Sequence, residues 1–183
     1  MVSQLDNVHR SSDFRQTVSD STKIAHSDLY RVRKYLDSEK GIRAAVVNAT
    51  EAVREMQQIQ SAGLLATTMT GRAIVGAALL ASHMKDGEVV SLYFRGDGPI
   101  RTVFAEAQFE GGVRGYVANP AIVLPPLASG LDLKGAIGEG QLTVVRTHPN
   151  QPHAQKGTVQ LQTGQIGEDI AFYLQQSQQV RSA

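Results

Sequence analysis

Val89-Val90-Ser91-Leu92-Tyr93-Phe94-Arg95-Gly96-Asp97-Gly98-Pro99-Ile100 carries the clearest pattern in the chain. Val90, Leu92 and Phe94 alternate with Val89, Ser91, Tyr93 and Arg95, a period of two that belongs to a strand. Gly96-Asp97-Gly98-Pro99 supplies a turn, with two glycines free to take positive φ. Ile100, Thr102 and Phe104 then alternate with Arg101, Val103 and Ala105. A second turn at Glu110-Gly111-Gly112 leads into Val113–Ala118, and Asn119-Pro120 stops that run. Three short strands joined by tight turns predict an antiparallel meander.

Upstream, Leu29–Leu36 and Ile42–Val47 read as strands about the turn Asp37-Ser38-Glu39-Lys40-Gly41. Asn48 or Thr50 caps a helix that runs through Gln60, with Ala52, Val53, Met56 and Ile59 on its stripe. A second helix starts near Gly63. Leu65, Met69, Arg72, Gly76, Leu79 and His83 share one of its faces, and small residues fill the rest, so it belongs mid-fold. A protonated His83 at its end suits the helix dipole. Residues 1–27 are polar and aperiodic, and are expected to form a flexible arm ahead of a core domain over 28–183.

Downstream, a proline-punctuated loop carries Ile122, Val123, Leu124 and Leu127. Gly135–Gly140 reads as loop, Gly140–Thr147 and Gly157–Gln162 as strands, and Gly164–Gln175 as an amphipathic helix. Strands, helices, strands and a helix in that order predict an α+β fold, antiparallel sheets with the meander packed against small-residue-rich helices.

Composition narrows the function. The 183 residues are 42% apolar and 19% charged, and the net charge of +1 provides no global field for nucleic acid or an anionic membrane. With no cysteine, the chain holds no disulfide, thiolate zinc site or cysteine nucleophile. No secretory signal is visible, and Arg72 interrupts the most apolar stretch, Ala62–Met84, so a cytoplasmic protein without a membrane span is expected.

Catalytic patterns are scarce. Neither Gly96–Pro99 nor Gly135–Gly140 has the residues of a phosphate-binding loop. Ser129 follows a proline-rich loop and lacks a nucleophile elbow. His148 and His153 lie in a proline-broken segment without a nearby carboxylate, so no metal site, cofactor site or catalytic residue is assigned. Glu168 and Asp169 suit the first turn of a helix, and Arg72 calls for an ion pair.

In order and spacing, the segments Leu29–Leu36, Ile42–Val47, Thr50–Gln60, Gly63–Met84, Val89–Ile100, Val113–Pro120 and Leu133–Thr147 resemble the N-terminal domain of the redox-regulated thirty-three-kilodalton heat-shock chaperone family. The Gly-Asp-Gly-Pro turn between two strands is the most specific of these features. The resemblance implies an ATP-independent holdase that binds unfolded or misfolded client proteins, with no enzymatic activity. It implies a four-cysteine zinc switch in the full-length family, which no residue here can supply, and a core domain that is C-terminally truncated. A holdase needs exposed apolar surface; Tyr93, Phe94, Ile100, Val103, Phe104, Ile122, Val123, Leu124 and Leu127 are the candidate client contacts. Open sheet edges allow a homodimer. The alternatives are a shortened, non-catalytic interaction module or subunit, and a small hydrolase-like enzyme with a site assembled from residues such as Arg72, His148 and His153.

Overall fold

A computed structural model describes residues 30–39, 41–109 and 111–178; the expected arm lies outside them. The described elements are β1 (Arg31–Asp37), β2 (Ile42–Asn48), α1 (Thr50–Gln60), α2 (Leu64–Ala81), β3 (Val89–Gly96), β4 (Thr102–Gln108), β5 (Val113–Val117), α3 (Leu133–Ile137), β6 (Gly140–Thr147), β7 (Gln155–Gln160) and α4 (Ile166–Gln178). The meander forms as the alternation requires, and β6 and β7 extend it beyond β3. The result is a five-stranded antiparallel sheet of order β5-β4-β3-β6-β7. The fold class is α+β, with β1 and β2 paired as a separate antiparallel hairpin.

Alternation assigns the two sheet faces. Val90, Leu92, Phe94, Val103, Ala105, Leu142 and Val144 are enclosed; α2 lies across β3, β4 and β5, and α4 covers β6 and β7. Small residues bring the helix close. A Cβ on Gly115 would come within 2.8 Å of Ile74 Cδ1 and Thr70 Cγ2, and one on Gly76 within 2.3 Å of Ile170 Cδ1. α2 has the length and hydropathy to cross a membrane, but 61% of it is buried inside the protein, and a core helix needs that same composition.

Several local expectations change. The stripe on α2 is not a single face: Leu65, Met69 and Gly76 are buried, whereas Arg72 and His83 are exposed, because the helix packs against the sheet, α1 and α4 at once. On α1, Ala52 and Met56 face inward but Ile59 does not. The N-cap of α1 is Ala49, neither Asn48 nor Thr50, and no side chain caps it; Asn48 Oδ1 instead accepts from the Thr50 amide at 3.1 Å and the Thr50 hydroxyl at 2.9 Å.

In the turn between β3 and β4 the positive φ of 63° falls on Arg101, not on Gly96 or Gly98. The glycines serve close approach. A Cβ on Gly96 would sit 1.9 Å from the Ile137 carbonyl oxygen, and one on Gly98 2.5 Å from that of Ala136. The amides of Asp97, Gly98 and Ile100 donate to the carbonyls of Glu139, Ile137 and Ala136 at 2.9–3.0 Å. The Asp97 carboxylate accepts from the Glu139 amide at 2.8 Å. The turn is thus a clamp on the α3–β6 corner. α3 itself replaces part of the expected loop, capped by Asp132, whose Oδ1 accepts from the Gly135 amide at 2.7 Å.

Asp169 does more than face a helix dipole. It is fully buried, and its Oδ1 accepts from the Gln162 amide at 2.8 Å and the Thr163 amide at 3.1 Å. It staples the β7–α4 connection to the helix. The adjacent Glu168 is exposed.

Candidate functional site

The end of α1, the start of α2, the edge of β5 and the proline loop meet at one corner, and three hydrogen bonds assemble it. The Gln60 side chain lies along β5, with Nε2 donating to the Gly115 carbonyl at 2.9 Å and Oε1 accepting from the Val117 amide at 3.0 Å. Ser61 takes the left-handed conformation at φ 50° and closes α1. The Gly63 amide, where α2 begins, donates to the Pro120 carbonyl at 2.8 Å.

These backbone ties point large apolar side chains outward. Ile59 is 74% exposed, Leu64 70%, Tyr116 52% and Val123 86%. Each is within one residue of a tie or of Ile122, whose carbonyl lies 3.8 Å from the position a Gly63 Cβ would take. Leu127, 53% exposed, lies farther along the loop, in an isolated bridge with Gly130.

Strand register carries this surface onto the outer face of the sheet. Tyr116 pairs with Phe104, and Phe104 with Tyr93. The rings of Tyr93 and Phe104 lie 4.8 Å apart, tilted at 44°. Arg95 stands over Tyr93 at 5.4 Å, and Arg114 over Phe104 at 5.9 Å. The neighbouring row is polar: Ser91 Oγ donates to Glu106 Oε2 at 2.7 Å, and Arg114 Nη2 pairs with Glu106 Oε1 at 2.7 Å. An apolar path with a polar border thus runs from Tyr93 through Phe104 and Tyr116 to the corner.

The nine candidate contacts divide on burial. Tyr93, Phe104, Val123, Leu124 and Leu127 have surface, although Tyr93, Phe104 and Leu124 are half-buried. Phe94, Ile100, Val103 and Ile122 are core residues, and a client cannot reach them in this conformation. Strand parity turns Phe94 and Val103 inward, whereas Ile100 lies in the turn before β4, where its amide donates to the Ala136 carbonyl and the positive φ of Arg101 breaks the alternation, and Ile122 is seated beside Gly63. Ile59, Leu64 and Tyr116 are surface residues that sequence reasoning missed. For Tyr116 the signal was available, since it follows Gly115 on the parity that leaves the core.

A second concavity of about 1260 Å³ lies between β2, α1, α2 and α4. Val47, Val53, Val75, Leu79 and Leu174 make much of its wall, with Arg43, Arg72 and His83 among the polar lining. Arg72 donates to Gln165 Oε1 at 2.7 Å, a neutral amide in place of the expected ion pair. The surroundings of His83 disfavour its charged form, contrary to the dipole-stabilised cation expected. Burial, followed by the charges of Lys34 and Arg43, lowers its pKa from 6.5. Of the residues in the enzyme alternative only Arg72 lines this cleft; His148 sits 3.7 Å from Glu88, and His153 and Ser129 are exposed in loops. No group of three or more His, Asp and Glu side chains suited to a metal ion occurs among the described residues.

Comparison with known proteins agrees with the architecture. The crystal structure of a 33 kDa chaperonin, the heat shock protein 33 homolog of Thermotoga maritima, superposes with a TM-score of 0.77 at 38% identity, covering 81% of this chain and 51% of that one. The 33 kDa chaperonins of Acaryochloris marina and Nostoc punctiforme are 41% and 43% identical over 148 residues, 80% of this chain and 49% of each relative. The chain therefore spans about half the length of the curated relatives it matches. The family model described as Hsp33 protein matches residues 31–183. On that match, and on the fold it shares with the Thermotoga protein, the chain belongs to the Hsp33 family.

Proposed function

We propose that this chain is an ATP-independent chaperone module that holds unfolded polypeptides on the apolar path from Tyr93 to Val123. The observation that carries the reading is the continuity of that path. Three aromatic side chains in register meet a corner where backbone hydrogen bonds hold Ile59, Leu64 and Val123 out of the core. An exposed apolar strip with a polar border suits partners that display apolar segments without a fixed shape. Tyr93, Phe104, Val123, Leu124 and Leu127 are its contacts, joined by Ile59, Leu64 and Tyr116. The relatives' name, 33 kDa chaperonin, supports the same reading.

The module works by binding, not by chemical turnover, in the cytoplasm, and a second copy of the chain can share its surface in a homodimer. With no cysteine among the 183 residues, peroxide leaves its activity unchanged, because thiol chemistry needs a thiolate. The test is light scattering from a chemically unfolded enzyme diluted with and without the protein, ATP omitted. Suppression at near-stoichiometric ratios, the same before and after peroxide, is expected. A folded sample that leaves scattering unchanged overturns the proposal.

A further inference from the structure

The two edges of the five-stranded sheet are not equivalent. At β5 the Gln60 amide bonds the Gly115 carbonyl and the Val117 amide; β7 is the opposite edge. There the Leu161 amide donates to the Gly140 carbonyl at 2.9 Å, and the register runs unbroken from Gln141 opposite Gln160 to Arg146 opposite Gln155. Antiparallel pairing therefore turns the backbone of Gly157 and Val159 toward β6, and that of Lys156, Thr158 and Gln160 away from it. Gln162 Nε2 donates to the Gln160 carbonyl at 3.1 Å. No hydrogen bond among the described residues reaches the outward amides and carbonyls of Lys156 and Thr158. A cavity of about 470 Å³ follows this edge, bordered by Lys156 and Thr158 from the outer face of the sheet and by Gly157, Tyr173 and Ser177 from the inner side. Space that wraps round an edge strand in this way lies where a further strand would.

The edge also continues the outer face that carries the aromatic row. Tyr93 pairs with Thr143, and Thr143 with Thr158; the two threonine hydroxyls lie 3.1 Å apart. The row of Tyr116, Phe104 and Tyr93 thus ends at Thr158, two strand spacings or about 10 Å beyond Tyr93. We propose that the β7 edge takes an extended segment of a client as an added strand, paired with Lys156, Thr158 and Gln160. On the chaperone reading, on which this site rests, it adds a main-chain contact to the apolar ones. Main-chain pairing reads no sequence, which suits partners that share only an unfolded backbone. The ladder stays short, because one of its carbonyls is already engaged by Gln162. A short edge that carries a lysine holds one segment without templating a growing sheet.

The test is backbone amide exchange of the full chain, with scattering suppression measured in parallel. The probe is a short peptide of alternating valine and glutamate, compared with the same peptide N-methylated throughout, which has no donors to pair. Saturating peptide is expected to slow exchange at Lys156, Thr158 and Gln160 at least about tenfold, and the methylated peptide to leave it unchanged. Thr158→Pro removes one outward donor without touching the bonds to β6 and weakens peptide binding about tenfold, the loss of one hydrogen bond. Thr158→Ala keeps the backbone and binds like wild type. Should Thr158→Pro fail to fold, the two peptides compared on the wild type decide alone. Equal protection by both peptides, or none by either, overturns the proposal. Amides protected before peptide is added, and released on dilution, assign the edge to a second copy of the chain and overturn it as well. Suppression without added protection overturns it and leaves the chaperone reading standing; protection without suppression upholds the edge pairing and overturns the chaperone reading.

Discussion

Replacing Ile59, Leu64 and Val123 together by serine removes three large apolar side chains from the corner and leaves the core intact, because they are 70–86% exposed. Complete burial of such a side chain contributes about 1.5–3 kcal/mol. A mobile client covers only part of each, and ordering the interface consumes part of the gain, which leaves about 1 kcal/mol per side chain. The triple change therefore costs about 3 kcal/mol of binding, roughly a hundredfold in affinity at about 1.4 kcal/mol per decade. Exposed positions alter folding by only about 0.5 kcal/mol each, so urea unfolding should barely move. The assay is the concentration of protein that halves scattering from an unfolded enzyme, with circular dichroism confirming the fold. A matched variant, Leu36→Ser, Ile42→Ser and Val46→Ser on the β1–β2 hairpin, removes apolar side chains that are also more than half exposed and should retain suppression. A folded corner variant with wild-type potency, or a hairpin variant that loses as much, refutes the assignment of the corner.

Gly96→Ala drives a methyl group to 1.9 Å from the Ile137 carbonyl oxygen. Releasing that clash strips the three backbone hydrogen bonds of the turn, a loss of about 3 kcal/mol at about 1 kcal/mol each, read as a lower urea midpoint. Gly112→Ala, with nothing within 4 Å of its Cβ, should be neutral or slightly stabilising. Asp169→Ala removes the acceptor of the Gln162 and Thr163 amides and should cost about 3 kcal/mol, two hydrogen bonds to a charged group; Asp169→Asn keeps an acceptor and should cost less by the same measurement. Because the folded pKa of His83 lies below 6.5, the unfolded chain binds the proton first as pH falls. The His83 contribution is complete above pH 6.5 and is lost as pH drops through that value towards the folded pKa. Melting midpoints between about pH 5 and 8 should fall with acid less in His83→Gln than in wild type.

Alternation made the meander legible, since a period of two in residues 89–105 permits only one inward set on each strand. The same logic yielded β6, and a helical period yielded the buried stripe of α4. α3 was invisible because five residues do not complete a helical period that could be told from a glycine-rich loop. The purpose of Gly96 and Gly98 was hidden too, since composition marks a turn without saying what it must approach. In the site, parity separates Tyr93 from Phe94 and Phe104 from Val103, so half of the strand candidates were bound to lie inside. The corner required tertiary knowledge. Nothing local at Leu64 or Ile59 distinguishes a core-facing position from one stranded outside by a hydrogen bond to β5 or to Pro120.

The Gln60 amide occupies the open edge of β5 at Gly115 and Val117. An unfolded chain drawn to the aromatic row arrives beside a strand whose backbone at Gly115 and Val117 is already answered by a side chain. It can adhere through its apolar groups but finds no ladder to extend there, and strand addition is the step that turns capture into co-aggregation. On the proposed function, Gln60 lets clients adhere beside β5 without adding a strand at Gly115 and Val117.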